Sequence, residues 1–557
     1  MKKIGILIES ANCGKYLYET VSELSKSGNI ELFFLLSSGV LEQRNIFDKL
    51  KFKIKANGLF RTFELSLFKI ISYIEYKILS IFYKDIKNQN TTFSIDNFIK
   101  NKIIHLNPIY SANGLIVRYP DEDIDKIKSL GLDLIIRGNA FGIFKGKIIN
   151  CAKDGIISFH HGDNRWNRGG PAAFWEVYLR KHSTGFIIQI LNEELNAGEV
   201  IFRGNIPTQR SYTENIVSLY KESNPYIAKI ILEYAFNNKF PPKEEKLPFG
   251  CSILKAPSFI QSISYLLRTG ALFLLLAIKR LILRKHKRWN VAYIKSCWHN
   301  ANLKKGTRIK NPRNRFFADP FVITKEDKTV CYVEDYCYKQ KRASITAIEL
   351  INDKNYAILG TVIQEPFHMS FPFLFEYKKE LYMVPETIKA NSIRLYKCVK
   401  FPLKWEYQKD ILTNISAADT MIFEHNGKWQ LLCNMNIAGQ QDHCSTLYAF
   451  YNKSPLADNW TAHESNPLIF NSNIARNGGL LNVSGKIPIR VRQKQGFNFY
   501  GKSLTLAKIT DLSPSSFKEE EIGRIYPDFF NKIIGCHHIH SNDVYSVYDY
   551  LKIDSLK

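Results

Sequence analysis

Gly155-Ile-Ile-Ser-Phe-His-His-Gly-Asp-Asn-Arg165, then Asn167-Arg-Gly-Gly-Pro-Ala-Ala-Phe-Trp175, then Thr184-Gly-Phe-Ile-Ile-Gln-Ile-Leu-Asn-Glu-Glu-Leu-Asn-Ala-Gly-Glu-Val-Ile201, is the stretch whose reading decides the fold of the first half. Its opening apolar run stops at two histidines and a turn-forming Gly-Asp-Asn, so it reads as a buried strand with polar side chains at its carboxyl end. Upstream, apolar strands at 4–8, 30–36 and 132–136 alternate with helical spacing in Leu17, Val21 and Leu24 and over 62–83. Such alternation predicts a mainly parallel sheet whose ligands gather at the carboxyl ends of its strands. His160 stands at one of those ends.

The order of these landmarks resembles the formyltransferase family, which moves a formyl group from 10-formyltetrahydrofolate onto sugar amines, glycinamide ribonucleotide or methionyl-tRNA. The family pattern is a strand ending Asn-x-His, an Arg-Gly loop with a Pro and a following Trp, then Thr-Gly and Asp-x-Gly. The resemblance runs over about residues 1–235, is most specific from 151 to 205, and implies a Rossmann-like α/β domain. Formyl transfer needs a donor at the developing oxyanion and a base for the amine proton. The resemblance gives the histidine role to His160, the Asn position to Ser158 and the Asp position to Asn196. Ser158 donates only one hydrogen bond, and an amide at 196 neither accepts a proton nor raises an imidazole pKa by charge. Either the site is reorganised or ordinary formyl transfer is lost. Asp163 and Asn164 are placed to supply the missing carboxylate and amide, or else to cap the turn. Arg165 and Arg168 suit a phosphate or diphosphate, or a solvated loop. Gly169, Gly170 and Trp175 complete the expected substrate loop.

The second half has a different texture. Ala318-Asp-Pro-Phe-Val-Ile, Ser370-Phe-Pro-Phe-Leu-Phe and Ala418-Asp-Thr-Met-Ile-Phe align with one another, each followed by a polar turn and an apolar strand. Their spacing of about 50 residues fits a propeller blade, and 289–557 holds about five, the weaker copies centring on Gly479 and Gly535. These segments, with Met383-Val-Pro-Glu-Thr and Phe401-Pro-Leu-Lys-Trp, are similar to the N-terminal domain of plant glucosamine inositolphosphorylceramide transferases, which is related to five-bladed arabinanase and xylosidase propellers. That resemblance implies an all-β five-bladed propeller. It assigns Asp319 and Asp419 to the family's base and pKa-modulating positions, with Glu386 as a candidate acid. His537 and His538 are expected either in the same axial pocket or packed. A sugar-recognising propeller is favoured over an active glycosidase, whose two carboxylates need a set separation.

The domains therefore read as 1–240, a linker at 241–288, and a propeller at 289–557. Within the linker, 263–283 is apolar, with ten uncharged residues between Arg268 and Lys279, and six basic residues follow from Lys279 to Arg288. Ten residues fall short of the ~20 that cross a bilayer. The segment reads as a packed linker helix, as an interfacial helix making peripheral membrane contact, or, least favoured of the three, as a true span. The net charge of +25 is spread along the chain and not clustered on a motif, so nucleic acid is not an expected partner. Ten scattered cysteines without a Cys-x-x-Cys pair read as reduced and give no metal site. The amino-terminal strand lacks the form of a signal peptide, so the expected location is cytoplasmic, at the inner membrane face. The implied activity is formyl transfer from 10-formyltetrahydrofolate to a nucleotide-linked or lipid-linked amino sugar in surface polysaccharide synthesis. The alternative is a degenerate enzyme whose propeller binds or processes glycans.

Overall fold

The computed structural model describes residues 1–37, 51, 54–55, 57–89, 91–99, 103–111, 114–245, 253–282, 285–437, 442–482 and 487–555. It divides into two compact units, Met1–Leu272 and Phe273–Lys557.

The first unit is built on a seven-stranded sheet. In chain order its strands are β1 (Lys2–Ile8), β2 (Ile30–Ser37), β3 (Ile103–Leu106), β4 (Leu134–Arg137), β5 (Ile156–His160), β6 (Ser183–Ile190) and β7 (Glu199–Pro207). The spatial order is β7-β6-β5-β4-β1-β2-β3. Ile4, Ile6, Leu7, Leu134, Ile135, Ile156 and Ile157 are all fully covered, as expected of a parallel sheet packed on both faces. Strands β1 to β5 run parallel, with Ile4 beside Leu134 and Ile156 beside Ile135, while β6 and β7 add an antiparallel edge. The chain proceeds outward from β1 to β2 and β3, then returns to the other side for β4 and β5. That reversal opens a crevice at the carboxyl ends of β1, β4 and β5, where Rossmann-like sheets hold ligands. Helix Lys15–Ser25 covers the sheet with Val21 and Leu24.

The second unit is a five-bladed β-propeller. Its innermost strands are Arg315–Lys325, Ser370–Tyr377, Ala417–His425, Asn477–Leu481 and Ile539–Ser541, each neighbouring the next around a closed ring. The first three blades open with hairpins whose two turn residues both have positive φ: Glu326-Asp327, Lys378-Lys379 and Asn426-Gly427. This is the primed turn that matches the twist of the flanking strands. Ring closure falls in the fifth blade, where Lys285–Ile294 pairs antiparallel with Ser546–Ser555 along its whole length. Four inner strands carry the same irregularity, a two-residue bulge at 318/321, 370/373, 418/421 and 477/480. Asp319 and Asp419 each occupy the first bulge position at φ 47° and 46°. Asp tolerates that left-handed backbone, and a bulge re-aims the side chain it carries.

Candidate functional site

In the first unit Ser158, Phe159 and His160 end β5 opposite Gln189, Ile188 and Ile187 of β6. The Ser158 hydroxyl is buried and donates to the Phe159 carbonyl at 3.1 Å. A ring nitrogen of His160, Nε2, lies 3.3 Å from the Asn167 carbonyl oxygen. Gly162 makes room for that ring, because a Cβ there would stand 2.7 Å from Nε2. Burial pushes the His160 pKa down to about 4, and contact with the Asn167 carbonyl only partly offsets it. The imidazole is therefore neutral at pH 7.

Asn196 sits in the left-handed region (φ 49°), donates from Nδ2 to the Arg168 carbonyl at 2.7 Å, and accepts from Gln189 Nε2 at 3.4 Å. Asn164 is buried and donates to the Asn196 carbonyl at 3.2 Å. Loop 163–168 thus ties the end of β5 to the 191–198 loop. Asp163 is engaged by Arg203 at 2.6 Å and by Arg165 at 2.7 Å, and these cations hold its carboxyl low despite its burial. Its backbone lies on Gly185, where a Cβ would stand 2.8 Å from that of Asp163, which explains the Thr-Gly landmark. Arg203, which the sequence reading did not single out, also binds Asn164 and Glu244. Residues 164–165, 190–192, 197–200 and 243–245 with Arg203 line a cavity of about 590 Å³.

The Arg168–Trp175 loop is held by the segment that follows. Asn167 Oδ1 accepts from the Gly169 and Leu254 amides, Gly170 N donates to Leu254 O, and Trp175 Nε1 donates to Gly170 O and Lys255 O. A Cβ on Gly169 would lie 1.8 Å from the Leu254 carbonyl. Gly198 is equally constrained, its Cβ position being 2.1 Å from Ile190 O. Gly198→Ala is expected to cost about 1–3 kcal/mol by forcing the backbone apart, read as a lower urea midpoint at unchanged m.

Beside His160, His161 packs its ring 4.8 Å from Phe159 and 4.4 Å from Tyr220, and burial lowers its pKa to about 3. The folded unit therefore binds fewer protons at His161 than the unfolded chain does below about pH 6.5. The stability this group contributes is full above 6.5 and falls as pH drops toward 3. His161→Phe removes that dependence: the wild-type minus variant stability is expected to shrink by about 2 kcal/mol between pH 7 and pH 5, measured by urea denaturation at both values.

In the second unit the bulges bring together Asp319, Glu334, Glu386, Asp419 and His537, all buried, with Arg476, which is largely covered. Arg476 forks onto Asp419 at 2.6 and 3.2 Å and reaches Glu386 at 3.3 Å. Gln493 donates to Asp419 at 3.2 Å. His537 bridges two carboxylates, with Nδ1 2.6 Å from Asp549 and Nε2 3.3 Å from Asp319, and its ring stacks on Trp289 at 3.8 Å. Burial raises Asp319 to about 6 and Glu334 and Asp419 well above their usual range. Asp549 and Asp319 raise His537 against the effect of its burial, and Asp419 does the same for Arg476. The result is a cluster of carboxyls, three of them with raised pKa, beside Arg476 and His537, rich in both donors and acceptors. The sequence reading named Asp319, Glu386, Asp419 and His537. Glu334 in the first blade, Arg476 just ahead of the fourth blade's inner strand and Asp549 in the fifth blade were not singled out. A buried charge inside an apolar strand was the available signal.

Residues 289–528 match the family model described as glucosamine inositolphosphorylceramide transferase 1, N-terminal. The glucosamine inositolphosphorylceramide transferase 1 of Arabidopsis thaliana is 33% identical over 213 residues, covering 38% of this chain and 27% of that protein. The chain thus spans about a quarter of the length of those relatives. A methionyl-tRNA formyltransferase of Bacillus velezensis is 31% identical over 114 residues, 20% of this chain and 35% of that protein. Among solved structures, a family 117 glycoside hydrolase of Zobellia galactanivorans overlies 49% of this chain and 92% of its own at 11% identity and TM-score 0.33. The chain is thus similar to formyltransferases in its first half and to the transferase N-terminal domain in its second.

Proposed function

We propose that the chain transfers a formyl group from 10-formyltetrahydrofolate to an amino sugar of a surface glycan, and that the propeller grips that glycan. One observation carries the reading: a neutral His160 at the carboxyl end of β5, drawn by loop 163–168 toward the Asn196 amide. A neutral imidazole can take the proton that the attacking amine must lose. Asn196 gives one amide hydrogen to Arg168, and an Asn side chain has two, so a second remains to donate to developing negative charge. A cavity of about 590 Å³ is in the range that takes a folate-sized ring system. Asn164, Asn192 and the 190–200 backbone would hold it, and the folate, when bound, supplies the formyl carbon. In the propeller, clustered carboxyls and a forked arginine suit the hydroxyls of a sugar.

The test is formyl release from 10-formyltetrahydrofolate with a panel of nucleotide-linked and lipid-linked amino sugars. Turnover with one amine, absent from the des-amino sugar, supports the reading. No turnover with any of them, alongside glycan binding that Asp319→Asn abolishes, would establish the degenerate, glycan-binding alternative.

A further inference from the structure

Helix Leu59–Phe82 of the first unit and the part of helix Phe259–Leu281 that belongs to it, up to Leu272, leave apolar faces uncovered. Helix Leu59–Phe82 buries Glu64, Phe68, Ile71 and Leu79 against its neighbours. An adjoining face exposes Phe60, Phe63, Ile70, Ile74, Ile78 and Ile81, a stripe at steps of three, four and seven residues along about 36 Å of helix. Helix Phe259–Leu281 lies beside it. Phe259 stacks on Phe63 with ring centroids 6.0 Å apart, its amide donates to Glu64 at 2.8 Å, and Tyr265 donates its hydroxyl to Glu75. Arg61 ties down the lead-in by binding the Ala256 and Pro257 carbonyls. Beyond this anchor Leu266 and Leu267 are exposed.

The charges on these helices are one-sided. The only carboxylates in either are Glu64 and Glu75, and both turn inward to the contacts just named. Among the described residues of these helices up to Leu272, the exposed charges are Lys69, Lys77 and Arg268. By length and composition, Phe259–Lys279 (21 residues, mean hydropathy 1.5) is long and apolar enough to cross a bilayer, a capacity that the count of ten uncharged residues understated. Yet Ser262 and Tyr265 are buried in the protein and Arg268 interrupts the rest. The portion after Arg268, about 20 Å, is about two-thirds of the ~30 Å of a hydrocarbon core.

We propose that the exposed faces of Leu59–Phe82 and of the first-unit part of the second helix, Phe259–Leu272, form one monotopic docking surface for an anionic bilayer. Apolar side chains enter the acyl boundary, and the lysines and arginine at the rim meet lipid phosphate. An apolar surface rimmed by one sign of charge fits an anionic membrane better than a second copy of itself, whose rim would repel. The inference stands whether or not formyl transfer is found.

Co-sedimentation of the full chain with phosphatidylcholine vesicles, and with equimolar phosphatidylcholine and phosphatidylglycerol, tests it. The protein is expected to pellet with the mixed vesicles and to stay in solution with phosphatidylcholine alone. Lys69→Ala and Lys77→Ala should each weaken binding about fivefold. Ile70→Asp combined with Ile74→Asp should lower it at least tenfold, with the circular dichroism spectrum unchanged, since both side chains face solvent. Failure of the folded wild type to pellet with mixed vesicles overturns the proposal. So does self-association that the Ile70/Ile74 variant abolishes in a protein that does not bind vesicles.

Discussion

Arg476→Met will lower the unfolding free energy of the propeller by about 3–5 kcal/mol, the usual cost of breaking a buried ion pair from one side. Both partners are largely covered: the Arg476 side chain is 12% exposed and that of Asp419 2%. The guanidinium is planar and forked, so it satisfies both Asp419 oxygens while still reaching Glu386. Methionine fills similar volume but strands two carboxyls in a low-dielectric pocket already holding Asp319 and Glu334. They can recover only by taking up protons, so the loss should be larger at pH 8 than at pH 5. The raised pKa of Asp319 acts in the same direction: its contribution is full below pH 3.8 and is lost as pH rises through about 6. Arg476→Lys keeps the charge but not the fork, and should fall between the two. Urea denaturation followed by tryptophan fluorescence reads the effect, and a loss below about 1 kcal/mol at pH 8 would mean the pair contributes little.

The second large effect concerns His160. His160→Ala is expected to reduce kcat for formyl transfer by about 10²–10⁴, the range for a positioned proton acceptor. The acceptor form persists down to the group's pKa of about 4, so the wild-type rate should stay level from pH 8 to pH 5 and fall below that. Asn196→Asp then becomes informative. A carboxylate at that position favours the protonated imidazole and moves the acid limb upward in pH. A pH profile that Asn196→Asp leaves unmoved, or a His160→Ala enzyme as fast as wild type, would remove His160 from the chemistry.

Much of this architecture was legible in the sequence because its signals are local. His160 follows a continuous apolar run by no more than a residue, and its landmarks fall within fifty positions. The blades announce themselves through a repeat near fifty residues and through Asp at the bulge. What could not be read is long-range pairing. Asp163 looked free to supply a missing carboxylate, yet Arg203, forty residues on, binds it at 2.6 Å. Arg476 was not singled out, and only the packing of the second, third and fourth blades sets it against Asp419 and Glu386. Likewise the spacing of 62–83 gave a helix, but not which of its faces the unit would leave bare.

The way the ring closes has a consequence for the order of events in the cell. Synthesis delivers Lys285–Ile294 first among the propeller's strands, and its partner Ser546–Ser555 last. Until then the early strand has an open edge, the kind that invites misassociation during translation. The strand that seals it also brings Asp549, the residue that holds His537 from Nδ1. Completion of the ring and assembly of the axial cluster are therefore a single event, since His537 gains its Asp549 partner only when the last strand docks.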